Sequence, residues 1–204
     1  MINTKEFKNG LFYVQDINSS SMINNLELKE DDLFLDACSA PGSKLFNALK
    51  YLKEENCFAN DINNTRVNLI KDKAKILGFN NINYLNHDAS ILNNVISTKF
   101  NKILLDVPCS GLGVIGRKPD IKFHLNGSDL DELQVIQYSI LNNVSELLEK
   151  DGLLCYSTCT LNTKENSKQV QRFIKEHDDY ILLKEETIIN NLGDMFYYAI
   201  CKKV

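Results

Sequence analysis

Short apolar runs alternate along the chain with segments whose apolar residues recur every three or four positions. Asp32-Leu-Phe-Leu-Asp-Ala-Cys38, Cys57-Phe-Ala-Asn-Asp61, Ile82 to His87, Lys102-Ile-Leu-Leu-Asp106 and Leu153 to Thr158 predict strands. Several are apolar on successive positions, as in a parallel sheet covered on both faces. Between them the spacing predicts helices over Lys44 to Lys53, Asn63 to Leu77, Ile91 to Ser97 and Asp129 to Lys150. In the second, Val67, Ile70, Ala74 and Leu77 share a face and Gly78 supplies the stop. The last carries a stripe of Leu133, Ile136, Ile140, Leu141, Val144, Leu147 and Leu148, closed by Asp151-Gly152. A further helix starts at Asn162, with Glu165 completing a capping box, and runs to about His177.

The ends of the chain are less regular. Residues 1 to 31 predict a short strand around Phe7, Leu11, Phe12, Tyr13 and Val14, then a helix capped at Asn18-Ser-Ser-Ser and bearing Met22, Ile23, Leu26 and Leu28. Tyr180 to Leu183 and Met195 to Lys202 predict two closing strands. Strand and helix alternation of this kind gives an α/β fold with a mostly parallel sheet and right-handed crossovers. The glycine-rich stretch from Pro108 to Ser128 is long for a connection in a compact domain, which is usual for a lid or binding segment.

The length of 204 residues fits one domain: a lead-in over 1–31 packed on a core over 32–204. No apolar run approaches the roughly 18 residues of a membrane span, and Lys5, Glu6, Lys8 and Asn9 leave no signal-peptide core. A cytoplasmic protein is expected. The six cysteines then read as reduced thiols. Only Cys155 and Cys159 are closely spaced, and His87, His124 and His177 are scattered, so no metal site is expected. A net charge of −4 excludes a strongly cationic surface but not local basic patches.

Successive strands end in an acid: Asp36, Asp61, Asp88 and Asp106. Ligands of open α/β sheets bind at that edge. The first turn, Cys38-Ser-Ala-Pro-Gly-Ser-Lys44, has one glycine where a dinucleotide fingerprint needs three. S-adenosylmethionine asks only for small residues in that turn, an acid for its ribose hydroxyls and an acceptor for its adenine amine, roles open to Asp61 and Asp88. Taken singly, each acid is more often what caps a turn or helix. Asp106-Val-Pro-Cys109 and Thr158-Cys159-Thr160 bring two thiols to the same edge; a redox pair, or Cys159 as a mere helix cap, would account for them as well.

In order and spacing, several motifs resemble the RNA cytosine-5 methyltransferases of the ribosomal RNA methyltransferase B (Sun) family. They are Asp36-Ala-Cys-Ser-Ala-Pro-Gly-Ser-Lys44, Asp106-Val-Pro-Cys-Ser-Gly-Leu-Gly113, Arg117-Lys-Pro-Asp120, Gln137-Tyr-Ser-Ile-Leu141 and Tyr156-Ser-Thr-Cys-Thr-Leu161 with Glu165-Asn166. Gly10-Leu-Phe-Tyr-Val-Gln-Asp16 and Asp194-Met-Phe-Tyr-Tyr-Ala199 are similar to that family's lead-in and closing strand. Ser39, Ser43 and Leu45 stand where its turn usually has alanine, glycine and threonine, and Met195 stands for a glycine. The resemblance implies a Rossmann-like class I methyltransferase with a seven-stranded sheet, using S-adenosylmethionine to make 5-methylcytosine, chiefly in ribosomal RNA.

It implies Cys159 as the nucleophile adding to cytosine carbon 6, Cys109 for adduct release and Asp106 as the cytosine contact. The cofactor falls to Cys38, Ser39, Ala40, Pro41, Gly42, Ser43, Lys44, Asp61, Arg66, Asp88 and Asp106. Lys44, Arg117 and Lys118 are candidates for phosphate contacts, and bacterial relatives usually carry an N-terminal RNA-binding domain, so a separate such domain or partner is expected. The competing readings are a non-catalytic RNA-binding or assembly subunit with the same fold, and a methyltransferase for exocyclic amines, whose site commonly has Pro-Pro and an aromatic after the acid.

Overall fold

The computed structural model describes residues 4–14, 17–190 and 193–204. Seven strands form one sheet: β1 (Phe34–Asp36), β2 (Cys57–Asn60), β3 (Asn83–Leu85), β4 (Phe100–Asp106), β5 (Leu148–Thr158), β6 (Tyr180–Ile189) and β7 (Met195–Lys203). Their order is β3-β2-β1-β4-β5-β7-β6, parallel from β3 to β5, with β7 antiparallel to both neighbours. This is the Rossmann-like methyltransferase fold. Asp36 pairs with Leu104, and Asp106 with Ser157, so the strand ends that carry acids share one edge.

The helices are α1 (Lys5–Lys8), α2 (Ile17–Asn25), α3 (Ser43–Ala48), α4 (Asn64–Ile76), α5 (Ile121–His124), α6 (Gly127–Ser145) and α7 (Ser167–Glu176). Alternation along the strands sorts the core. Leu35, Ile103, Leu105, Leu154 and Tyr156 face α6 and α7, whereas Phe34, Leu104, Leu153 and Cys155 face α2, α3 and α4. Ile103, Leu104 and Leu105 have no exposure, and each side chain contributes about 1.5–3 kcal/mol by leaving water. That continuous apolar run reflects a strand covered on both sides.

Several boundaries differ from the expected ones. Phe12 to Val14 form no strand, and Phe7 lies in the single helical turn α1, capped by Thr4. Gln15 and Asp16 of the lead-in motif lie outside the described residues, and α2 already begins at Ile17, ahead of the expected Asn18 cap. α3 stops at Ala48 because the chain tightens into i→i+3 turns at Lys50 and Tyr51. The segment after β3 is a 3₁₀ helix, Ala89–Asn94. α6 starts at Gly127, where Asn126 and Asp129 form a reciprocal capping box, and ends at Ser145. Leu148 already belongs to β5, and Asp151 (φ +64°) with Gly152 forms an irregularity inside that strand, not a helix stop. Ile136 is 45% exposed, off the buried stripe. α7 begins at Ser167, later than the Asn162 expected, and β6 runs six residues past the predicted Leu183, to Ile189.

Candidate active site

The turn after β1 is shaped by Gly42, at φ +93°, where a β-carbon would lie 2.8 Å from the Phe46 ring. Ser43 is already helical, so serine there meets no backbone strain. Its neighbour Lys44 reaches back over the sheet edge, Nζ 2.5 Å from Asp106 Oδ2, while the Ser157 hydroxyl donates to Asp106 Oδ1 at 3.0 Å. Burial opposes the charge on Lys44, but Asp106, through charge and hydrogen bond, outweighs it and raises the lysine pKa.

Asp61 accepts the backbone N–H groups of Asn63 (3.0 Å) and Ala40 (3.3 Å), and Arg66 stands 3.5 Å from it while donating to the Ala40 carbonyl at 2.9 Å. Asp88 accepts from Ser90 N at 2.8 Å and caps the 3₁₀ helix, so the bland reading of that acid holds alongside any binding role. Cys38, Ala40, Pro41, Asp61, Arg66, Asp88 and Asp106 line a cavity of about 620 Å³, whose apolar walls include Ile62, Ala89, Val107 and Ile140. Ser39 is buried just behind it, its hydroxyl without a partner. Ser43 and Lys44 line instead an adjoining cavity of about 430 Å³, with Arg117, Asp194, Met195 and Phe196. The two cavities share Pro41, Asp106, Lys118 and Cys159.

At that junction the sulfurs of Cys109 and Cys159 are 3.4 Å apart, and Cys159 N donates to Cys109 Sγ. The two thiols are not equivalent. The hydrogen bond from Cys109 lowers the Cys159 pKa, against burial and Asp106, with Lys44 and Lys118 helping. Cys109 is raised well above the usual thiol range by the same bond and by burial. Cys159 lies well ahead of α7, so it does not cap that helix.

The expected capping box at Asn162 is not formed. Glu165 is fully buried and serves as a tie between the two cysteine loops. Its carboxylate accepts from Ser110 N (2.8 Å), Ser110 Oγ (2.7 Å), Gln137 Nε2 (3.0 Å) and Asn162 Nδ2 (3.0 Å). The long loop is pinned at two points in its first half. Gly113 N donates to the Cys159 carbonyl at 3.0 Å, and Arg117 Nε bonds buried Asp194 at 2.8 Å. Glu165, Asp194 and Phe196 escaped the sequence reading as site residues; the first two are signalled only by being acids within otherwise apolar or motif segments. Among the described residues no group of His, Cys, Asp and Glu is arranged to hold a metal ion, and no helix is long and apolar enough to cross a membrane.

A family model described as 16S rRNA methyltransferase RsmB/F matches residues 23–196. A probable ribosomal RNA small subunit methyltransferase B from Bacillus subtilis is 38% identical over 179 residues, 87% of this chain and 40% of the relative. A tRNA (cytosine(34)-C(5))-methyltransferase from Drosophila melanogaster is 40% identical over 171 residues, 75% of this chain and 23% of the relative. The chain thus spans less than half the length of either. Among solved structures, NSun6 from Pyrococcus horikoshii with SFG superposes with a TM-score of 0.86 at 27% identity, covering 100% of this chain and 56% of that one.

Proposed function

The chain belongs to the 16S rRNA methyltransferase RsmB/F family, and from that premise we propose that it transfers a methyl group to carbon 5 of a cytosine in RNA, ribosomal RNA first, through a covalent Cys159 adduct. The observation that carries the reading is the thiol pair at the junction of two cavities, facing the Lys44–Asp106 ion pair.

The larger cavity suits S-adenosylmethionine by its donor set. Asp61 and Asp88 offer acceptors at neighbouring strand ends for ribose hydroxyls and an adenine amine, and Ile62, Ala89 and Ile140 offer apolar faces for the ring. When bound, that cofactor supplies an electrophilic methyl group. The chain's residues do the rest. Carbon 5 of cytosine is a poor nucleophile until a thiolate adds to carbon 6, and Cys159, with its lowered pKa, is the thiol suited to attack. Asp106, steadied by Lys44 and Ser157, accepts from the cytosine amine and relays a proton to the ring nitrogen as negative charge develops there. Cys109, whose higher pKa makes its thiolate the stronger base, takes the carbon 5 proton after its own proton has passed through Asp106 to the ring nitrogen during the addition, and the Cys159–carbon 6 bond then breaks to return Cys159 as thiolate. The smaller cavity, floored by Phe196 and flanked by Arg117 and Lys118, receives the base, which must leave its stack to enter. With a net charge of −4 the chain attracts RNA weakly at long range, so capture draws on a separate RNA-binding domain or partner, within the cytoplasm.

The protein is incubated with S-adenosylmethionine and unmodified small-subunit ribosomal RNA, and the RNA is mapped by bisulfite conversion. New protected cytosines that disappear with Cys159→Ala support the reading. RNA binding without 5-methylcytosine would make the chain the non-catalytic subunit, and methylation at an exocyclic amine would move it to the other class.

A further inference from the structure

Asp36 is the acid that the chemistry above leaves idle. It closes β1, is 1% exposed, and neither of its carboxyl oxygens has a well-formed hydrogen bond, the Ser39 hydroxyl and the Cys38 N–H being its nearest donors and too weak to offset burial. A carboxylate shut off from water and lacking well-placed donors is strongly disfavoured. The charged groups acting on it are Asp106, from the adjacent β4, and Lys44, from α3; Cys38 and Ser39 of its own turn lie beside it. Asp61 and Arg66 act one step farther out, on Cys38.

Two acids therefore meet one ammonium. Lys44 is committed to Asp106 at 2.5 Å, and Asp106 also has the Ser157 hydroxyl and 29% of its side chain exposed. Asp36 has none of these. The cluster reaches neutrality only when one acid carries a proton, and the burial assigns that proton to Asp36.

We propose that Asp36 is a positioning residue that works as a neutral carboxylic acid: by keeping its proton it leaves the Lys44 ammonium wholly to Asp106, and so holds that carboxylate in place for the cytosine. The inference rests on the cytosine-5 reading for its consequence in turnover, but not for its consequence in charge. Ionised, Asp36 becomes a second anion competing for Lys44. Burial first, then Asp106, push its pKa up to about 7 against the pull of Lys44, so the change falls in the working range.

Asp36→Asn is a permanently neutral replacement of nearly the same shape. Initial rates at saturating RNA and S-adenosylmethionine are compared as the ratio of variant to wild type from pH about 5.5 to 8.5, in which titrations common to both cancel. The ratio should be flat in acid and rise with pH through about 7, by up to roughly tenfold one unit above the transition. In parallel, carboxyl-carbon and lysine-nitrogen NMR of the unliganded wild type should show one aspartate titrating near neutrality with the Lys44 signal following it, both changes absent in the variant. A ratio independent of pH, or a defect confined to KM for S-adenosylmethionine, overturns the proposal. So does an NMR titration without a carboxyl changing near neutrality, which decides the matter if the asparagine variant fails to fold. If the wild type makes no 5-methylcytosine, the catalytic reading falls, while the coupled aspartate and lysine titrations still decide what Asp36 does to Lys44.

Discussion

Cys109 and Cys159 are separated by fifty positions in sequence, yet their sulfurs stand 3.4 Å apart with Cys159 N donating to Cys109 Sγ. One hydrogen bond thus pushes the two thiols in opposite directions, lowering Cys159 and raising Cys109. This bond sets the proposed nucleophile apart from the proposed proton carrier before any substrate arrives.

The division of labour predicts different defects for the two alanine variants. Cys159→Ala should reduce methyl transfer by roughly 10³-fold or more, since the attacking atom is gone. Cys109→Ala should still attack but fail to release, giving an RNA–protein adduct visible as a band shift that survives denaturation. Release at normal rates without Cys109 would remove it from the proposed step.

Glu165 should behave as a core residue. Replacing it with alanine strands Ser110 N, Ser110 Oγ, Gln137 Nε2 and Asn162 Nδ2 in a buried site. A loss on the order of 3 kcal/mol in unfolding free energy is expected, read from urea denaturation. Glu165→Gln should recover part of it, because the amide oxygen still accepts.

Gly113→Ala tests the contact between the long loop and the strand that leads into Cys159. A β-carbon there would lie 2.7 Å from the Met195 carbonyl oxygen and 2.9 Å from that of Cys159, both backbone atoms. The neighbours cannot rotate away, so a destabilisation of about 1–3 kcal/mol and a marked fall in kcat are expected together. Gly116→Ala, with nothing near its β-carbon, is the control and should leave both unchanged.

Asp36 also predicts a pH dependence of stability. Its folded-state pKa, about 7, lies above the ordinary 3.8, so the folded protein binds the proton more tightly than the unfolded chain. The stabilisation from this group is complete below about pH 4 and is lost as pH rises to about 7, amounting to on the order of 4 kcal/mol. Thermal unfolding of the wild type across that window, compared with Asp36→Asn, should show the variant lacking this decline.

The sheet and the acids along its edge were legible because buried parallel strands are apolar on successive residues and their ends are marked by Asp. The thiols were legible as strand-end cysteines. Glu165 was misread for a physical reason: at Asn162-x-x-Glu165 a helix cap and a buried tie have the same local pattern, and only Ser110 and Gln137, distant in sequence, decide between them. Asp151-Gly152 likewise carries the signature of a helix end, while pairing of Leu148 with Phe100 turns it into a strand irregularity. Asp36 was visible as a strand-end acid, but its lack of well-formed hydrogen bonds exists only in three dimensions.

The reversed direction of β7 has a practical consequence. Tyr197 pairs with Thr158 at the catalytic edge, and Lys202 with Leu153 at the other end of the strand. The chain therefore passes the candidate site and runs toward the opposite side of the sheet, where Val204 N bonds the Asp179 carbonyl. A fluorophore or surface tether attached at Val204 would point away from incoming RNA, making that residue the natural handle for immobilised binding and turnover measurements.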